Sequence, residues 1–275
     1  MIAKWLARPL STRLKVAAAF ALIAAIPGLA QEQPQTLSLL GAPLYAPPVA
    51  GDARARIESD LASAQAAFEK DPSNVDAALA AARADMALGH IGDALELLTR
   101  AREGKPDDPR LLVEAAGDLI VNRKFDAAER DARKAGEGAP GASCVLGFAL
   151  YLKADYAHAK GAYAACRDPG VFAYLADRFT GGSTVPRPSV PDTPASTTPP
   201  LRLPGSLVRG DTTEKPLTAA YLDAAERLAS GKRKDARDLL KRIVEKHMAE
   251  WMTPVYIAAE ADYARLAKRV PRKRD

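Results

Sequence analysis

The sequence has few aromatic side chains, which make up 6% of its 275 residues, and it has only 2 cysteines. So few cysteines exclude a small scaffold held together by many disulfides. The 18 glycines and 21 prolines are too few for a collagen-like chain or for disorder throughout. Because the sequence holds one long apolar run and no second, a membrane protein with several spans is excluded as well.

Alanine and charged residues are plentiful, and the charged residues make up 27% of the chain. Alanine favours helices because it loses the least conformational entropy on entering one. The net charge of +5 comes from the two ends, since residues 1–30 hold four basic and no acidic residues and residues 265–275 hold six basic residues and one acid. The body carries no basic stripe interleaved with aromatics, so we expect no nucleic-acid partner.

Residues 1–30 have the organisation of a secretory signal peptide. The basic residues end at Lys15, residues 16–26 are apolar, and the small residues Gly28 and Ala30 follow. We expect cleavage after Ala30 and a periplasmic or secreted protein. The alternative is an uncleaved anchor, although the apolar stretch is shorter than the about 20 residues that a spanning helix needs.

Three similar units of about 34 residues follow one another within residues 51–180. They begin at Val75, Pro109 and Pro140, and each has the pattern of two helices joined by a short turn. Gly89 marks the turn of the first unit, while Asn74 and the proline at the start of the second unit are typical of helix N-termini. The pattern predicts stacked helical hairpins.

The third unit, which contains CVLGFALYLKADYAHAKGAYAAC, resembles the tetratricopeptide repeat. Small residues stand where the two helices of a hairpin touch, and larger ones stand between hairpins. The large aromatic that usually occurs early in the first helix is replaced by Ala78, Leu112 and Ser143. The resemblance implies an all-α fold, a solenoid of αα-hairpin repeats that forms a tetratricopeptide superhelix over residues 51–180.

The segments around the repeats differ in composition. Residues 31–50 contain three prolines after Gly41 and are predicted to form an extended arm. Residues 181–216 are rich in Pro, Thr and Ser and are predicted to be a linker. Residues 217–267 have the pattern of a degenerate repeat with a closing helix, and residues 268–275 form a basic tail. The whole outline resembles a group of bacterial exported repeat proteins for which no activity is established.

The two cysteines lie in the same unit. Counted from Pro140, Cys144 is at position 5 and Cys166 at position 27, so the two face each other across an antiparallel helix pair that turns near position 16. In an oxidising compartment this placement favours a disulfide. The alternative is a pair of buried thiols.

The resemblance implies that the first helix of each unit lines a concave groove. Through the positions that point inward, we expect a partner-binding groove lined by Leu79, Arg83, Met86, Arg110, Val113, Ile120, Phe148 and Tyr151. Such a largely apolar stripe, if exposed, would bind an amphipathic helix or an extended peptide. The alternative is coverage by the chain's own C-terminal helices or arm.

Motifs of known chemistry are missing from the sequence. The three histidines, His90, His158 and His247, form no metal-binding pair, and no nucleophile elbow, phosphate loop or dinucleotide fingerprint occurs. His90 falls in a turn between helices, where a solvated polar role is expected. We therefore expect no catalytic, metal or cofactor site and no small-molecule substrate.

The sequence thus predicts a non-enzymatic scaffold of the bacterial envelope that binds a protein or peptide in its concave groove. The alternative is a structural envelope protein whose groove is covered by its own C-terminal helices. Membrane contact is expected only through the signal peptide or, weakly, through the basic tail.

Overall fold

The structure is a computed structural model and describes residues 33–189 and 217–268. The predicted signal peptide with its cleavage point, most of the predicted linker and nearly all of the basic tail lie outside the described residues. Consecutive helices pack side by side along the described chain, with one two-residue strand pair. This arrangement confirms the predicted all-α solenoid of αα-hairpin repeats. No described helix is both long enough and apolar enough to span a membrane.

The described residues form eleven α-helices and a short 3₁₀ helix, Met248–Glu250. The helices are α1 (Gly51–Lys70), α2 (Val75–Leu88), α3 (Ile91–Gly104), α4 (Pro109–Val121), α5 (Phe125–Ala135), α6 (Ala142–Leu152), α7 (Tyr156–Ala164), α8 (Gly170–Phe179), α9 (Leu217–Ala229), α10 (Arg233–Lys246) and α11 (Pro254–Lys268).

Local signals fix where the first repeats start and turn. The Asn74 side chain accepts a hydrogen bond from the N–H of Ala77 at 3.0 Å and caps α2. Gly89 ends α2 with φ of +82°, a left-handed conformation that favours glycine. Pro109 is the first residue of α4, where its missing N–H costs nothing. The Asp108 side chain caps the helix by accepting a hydrogen bond from the N–H of Arg110. These are the positions at which the repeat pattern predicted the boundaries.

Pairs α2/α3, α4/α5 and α6/α7 form the three predicted hairpins, and each packs on the next. The first helices of successive hairpins touch, because α2 contacts α4, α4 contacts α6 and α6 contacts α8. They therefore line one common side of the stack, which we call the concave face.

Within the third hairpin, Cys144 and Cys166 form a disulfide with their Cα atoms 4.8 Å apart. The predicted bridge is thereby confirmed. A Cβ on Gly147 would lie 2.7 Å from ring atoms of Tyr163, so glycine at this position lets α6 and α7 approach closely. The hairpin is thus closed by a small residue and by a covalent bond.

The N-terminal arm folds into a small hairpin of β1 (Thr36–Leu37) and β2 (Pro43–Leu44), which pair antiparallel. The residues after β2 lie against the turn of the first repeat, since a Cβ on Gly89 would lie 2.8 Å from the Cβ of Ala46. Leu44 is buried, and the Thr36 hydroxyl donates to Oδ1 of Asn122 at 2.8 Å. The arm is therefore docked on the turns of the first two repeats.

The C-terminal helices pack back onto the repeats. Helices α9 and α10 form a hairpin, and α11 packs against α10, α9 and α6. Eleven of the fifteen residues of α11 are buried, on every side of the helix, so it lies in the interior. Residues 181–189, predicted to belong to the linker, contact the stack, because the Asp177 carboxylate accepts the N–H of Thr184 at 3.1 Å.

Candidate functional site

The structure places most of the predicted groove residues in the core. The six apolar ones are buried, whereas the two arginines are exposed: Leu79, Met86, Val113, Ile120, Phe148 and Tyr151 are the buried set, and Arg83 and Arg110 the exposed pair. In this structure the six apolar side chains pack inside the molecule. That these eight residues bind a partner stays a prediction.

One polar anchor joins α11 and its preceding loop to the turn between α4 and α5. The guanidinium of Arg123 donates to Oε2 of Glu260 at 2.8 Å, and their side chains are 4% and 0% exposed. Arg123 also donates to the carbonyl oxygen of Trp251 at 2.9 Å. The other carboxylate oxygen of Glu260 accepts the N–H of Leu39 at 2.9 Å. This pair therefore ties the arm, the second repeat and the last helix together.

A second anchor joins α11 to α6 and α9. The hydroxyl of Tyr221 donates to Oδ2 of Asp262 at 2.8 Å and shares a hydrogen bond of 2.7 Å with the hydroxyl of Tyr151. Arg265 pairs with Asp262 and donates to the carbonyl oxygen of Leu152. Burial raises the pKa of Asp262 in spite of the nearby Arg265 charge.

Aromatic rings fill the space around this anchor. Phe148 and Phe172 have their ring centroids 4.6 Å apart, and Tyr151 meets Phe172 edge-on at 5.2 Å. Tyr156 stacks on Phe179 at 4.1 Å. Such contacts stabilise the packing by about 0.5–1.5 kcal/mol beyond the area they bury. The concave face at α6 and α8 is therefore filled with the chain's own side chains.

The concave face remains open at its N-terminal end. A cleft of about 620 Å³ lies between α1 and α2, and small side chains dominate its lining: Ile57, Asp60, Ser63, Ala64, Ala67, Ala77, Ala80, Arg83, Ala84 and Ala87. Phe68 is the one buried residue of the twenty in α1, so most of this helix faces outward. Of the predicted groove residues, Arg83 is the one that lines this cleft.

Behind the cleft lies a pair of buried acids that sequence reasoning missed. Arg83 donates to Oε2 of Glu114 at 2.7 Å, and the Glu114 side chain is 1% exposed. Asp118 is one helical turn further along α4, and neither of its carboxylate oxygens has a hydrogen-bond partner among the described residues. Burial raises the pKa of Asp118 well above its usual range, and the Glu114 charge adds to this effect. Two acids four residues apart among the apolar residues 111–121 were the available signal.

The other predicted groove arginine is held in surface ion pairs. Arg110 donates to Asp76 of α2 at 2.7 Å and lies 3.4 Å from the Asp108 carboxylate. It sits at the start of α4 and does not line the open cleft. The structure thus does not bring Arg83 and Arg110 together in one site.

Successive hairpins whose first helices share one concave face define a helical repeat protein. The family model described as "Tetratricopeptide repeat" matches residues 55–116, which run from α1 into α4. Residues 55–116 thus resemble tetratricopeptide repeats. No curated protein and no solved structure gives a significant match. Tetratricopeptide repeats generally mediate protein–protein interactions and typically are not enzymes.

Proposed function

We propose that this protein is a non-enzymatic interaction scaffold that binds a helical or extended segment of a partner protein in the cleft between α1 and α2. The proposal rests on one observation, the open alanine-lined cleft at the N-terminal end of a concave face that is otherwise filled. The docking surface is thereby narrower than the groove predicted from the sequence.

The lining of the cleft favours a partner segment with small or aliphatic side chains on one face. Ala80 of α2 and Ala67 of α1 are exposed and present methyl groups across the cleft, so a helix backbone can approach closely. Asp60 is exposed on the wall formed by α1 and offers a carboxylate to a basic residue of the partner. Because the walls are helices that are already packed, binding costs little ordering of the scaffold.

Site-specific photocrosslinking in the native cells tests this function. A photoreactive residue at position 67 or 80 lies in the cleft, whereas one at position 66 lies on the same helix outside the lining. We expect a discrete protein adduct from the two cleft positions and none from position 66. Addition of Ala80→Arg to the position-67 probe should abolish the adduct. Adducts of equal yield from all three positions would contradict the proposal.

The second candidate function is a structural envelope protein whose groove is covered by its own C-terminal helices. It is supported by the buried state of the six apolar groove residues and by the two polar anchors of α11. This function predicts no adduct from either cleft position and a loss of envelope integrity when the gene is deleted.

We further propose that the protein is exported, with the signal cut after Ala30, and works in the periplasm or outside the cell. The Cys144–Cys166 bond supports this, because disulfides form and persist in oxidising compartments. N-terminal sequencing of protein recovered from the periplasmic fraction should begin at Gln31. Recovery from the cytoplasm with an intact Met1 would contradict it.

A further inference from the structure

The turn of the first repeat brings three potential metal ligands together. Asp85 lies in the last turn of α2, His90 directly precedes α3 and Asp93 lies in its first turn. One ligand atom of each residue lies within 4.8 Å of those of the other two. This group includes an imidazole, and imidazole with carboxylates suits zinc and other divalent transition metals.

The backbone of this turn is fixed by its own hydrogen bonds. The N–H of His90 donates to the carbonyl oxygen of Asp85 at 2.8 Å, and the N–H of Gly89 donates to that of Met86 at 3.0 Å. The docked arm also passes over Gly89. The three side chains therefore start from a defined backbone.

The Asp85 carboxylate is the observation that points to a ligand. Its side chain is 3% exposed and directed into the group, with Nδ1 of His90 3.5 Å from one of its oxygens. Its nearest charged partner is thus His90, a member of the group itself. Burying a carboxylate with so little compensation is costly unless a cation or a hydrogen-bond donor completes its surroundings. The nearby Asp93 adds a second negative charge to the group.

We propose that Asp85, His90 and Asp93 bind one divalent transition-metal ion, with Zn²⁺ as the fitting example, and that this ion fastens the turn between α2 and α3. Each of the three side chains supplies one ligand atom. Asp93 and His90 are partly or fully exposed, so water can enter and complete a tetrahedral shell. The site is independent of the proposed partner cleft, because none of its three residues lines that cleft.

Isothermal titration of the metal-free full chain with ZnCl₂, supported by Co²⁺ absorption spectra, tests the site. We expect one ion per chain and a loss of affinity of at least about tenfold in both Asp93→Asn and His90→Gln. Both residues are at the surface of the turn, so the variants should fold, and circular dichroism checks that they do. A tetrahedral Co²⁺ spectrum that disappears in Asp93→Asn would identify the residue as a ligand.

His158→Gln is the matched control. His158 is also exposed and lies 2.9 Å from an acid of its own turn, Asp155, yet it belongs to no group of three ligands among the described residues. Zn²⁺ affinity should be unchanged in this variant. Absence of stoichiometric Zn²⁺ binding would overturn the proposal. So would Zn²⁺ binding that Asp93→Asn and His90→Gln leave intact, or that His158→Gln removes.

Discussion

The two ends of the concave face are built from different side chains. Around α6 and α8 the ring contacts run from Phe148 to Tyr221, and every ring–ring contact among the described residues falls in that stretch. Around α1 and α2 the same face carries alanines and an open cleft. In this aromatic-poor sequence, the ring–ring contacts thus lie where the chain closes on itself. The difference teaches that one repeat motif can serve as a core at one end and as a surface at the other.

Charge follows the same division. Where α11 packs back onto the repeats, Arg123 and Glu260 are almost completely buried and join segments 137 residues apart in sequence. At the open end, Arg54 and Glu58 of α1 form an i,i+4 pair that is half exposed on both sides. Both pairs have the same 2.8 Å distance, so geometry alone does not rank them. Their surroundings do, because a buried charge that loses its partner cannot turn to water.

Breaking these two pairs should give the largest contrast. We expect Glu260→Ala to lower the free energy of unfolding by about 3–5 kcal/mol, since Arg123 would remain buried and unpaired. Glu58→Ala should change it by no more than about 0.5 kcal/mol. Urea titrations of both variants followed by circular dichroism measure the difference. Equal midpoints would show that α11 is not anchored as the structure indicates.

The disulfide gives the next largest effect. It closes a loop of 22 residues inside the third hairpin, and a loop of this size stabilises the fold by about 3 kcal/mol in the chain-entropy model. Dithiothreitol should therefore lower the Tm of the protein, and Cys144→Ala with Cys166→Ala should reproduce the lower value. The double variant serves as control, because reductant should leave its Tm unchanged. A wild-type Tm insensitive to complete reduction would contradict this assignment.

Asp118 of α4 lies between the two ends of the concave face, and its buried carboxylate makes the stability of the fold depend on pH. Its pKa in the folded protein is raised by burial and by Glu114, so its stability contribution is fully present below the unfolded pKa and is lost as the pH rises through the folded value. Glu114 behaves in the same sense, because burial raises its pKa against the effect of Arg83. Asp118→Asn removes one ionisation, and we expect a gain of about 1–3 kcal/mol at neutral pH with a flatter pH profile.

Urea midpoints between pH 4 and pH 8 measure this effect. Asp60→Asn is a suitable control, because it removes an exposed carboxylate in the cleft wall by the same chemical change. If Asp118→Asn loses stability at neutral pH, the carboxylate is ionised and partnered, and the assignment is wrong.

Repetition explains why so much of the fold was predictable. Gly89, Asn74 and Pro109 act through local backbone chemistry, so the helix boundaries near them follow from the sequence alone. The register that these signals set also placed Cys144 opposite Cys166. Each repeat contacts mainly its neighbours, and such near-neighbour contacts are what a periodic pattern encodes.

The state of the groove could not be predicted in the same way. Burial of Tyr151 depends on Tyr221 and Asp262, which lie 70 residues or more away and carry no periodic signal that links them to α6. The group of Asp85, His90 and Asp93 was missed because its members straddle a turn, whereas metal-site motifs are recognised by spacing along one helix or across paired knuckles. The packing of the C-terminal helices on the repeats and the side-chain geometry of the turn between α2 and α3 are therefore known from the structure and not from the sequence.

Two buried tyrosines of the third hairpin give the smallest and most discriminating contrast. The hydroxyl of Tyr151 faces the filled side and is bonded to Tyr221, whereas the hydroxyl of Tyr163 is buried with no hydrogen-bond partner among the described residues. Tyr151→Phe should lower the free energy of unfolding by about 1 kcal/mol, while Tyr163→Phe should leave it unchanged or raise it by up to about 1 kcal/mol. Both changes remove one oxygen from a buried ring, so volume cannot account for opposite signs. Equal losses of the free energy of unfolding in paired urea titrations would mean that the Tyr163 hydroxyl is hydrogen-bonded as well. The hydrogen bond between Tyr151 and Tyr221 would then not distinguish the filled side.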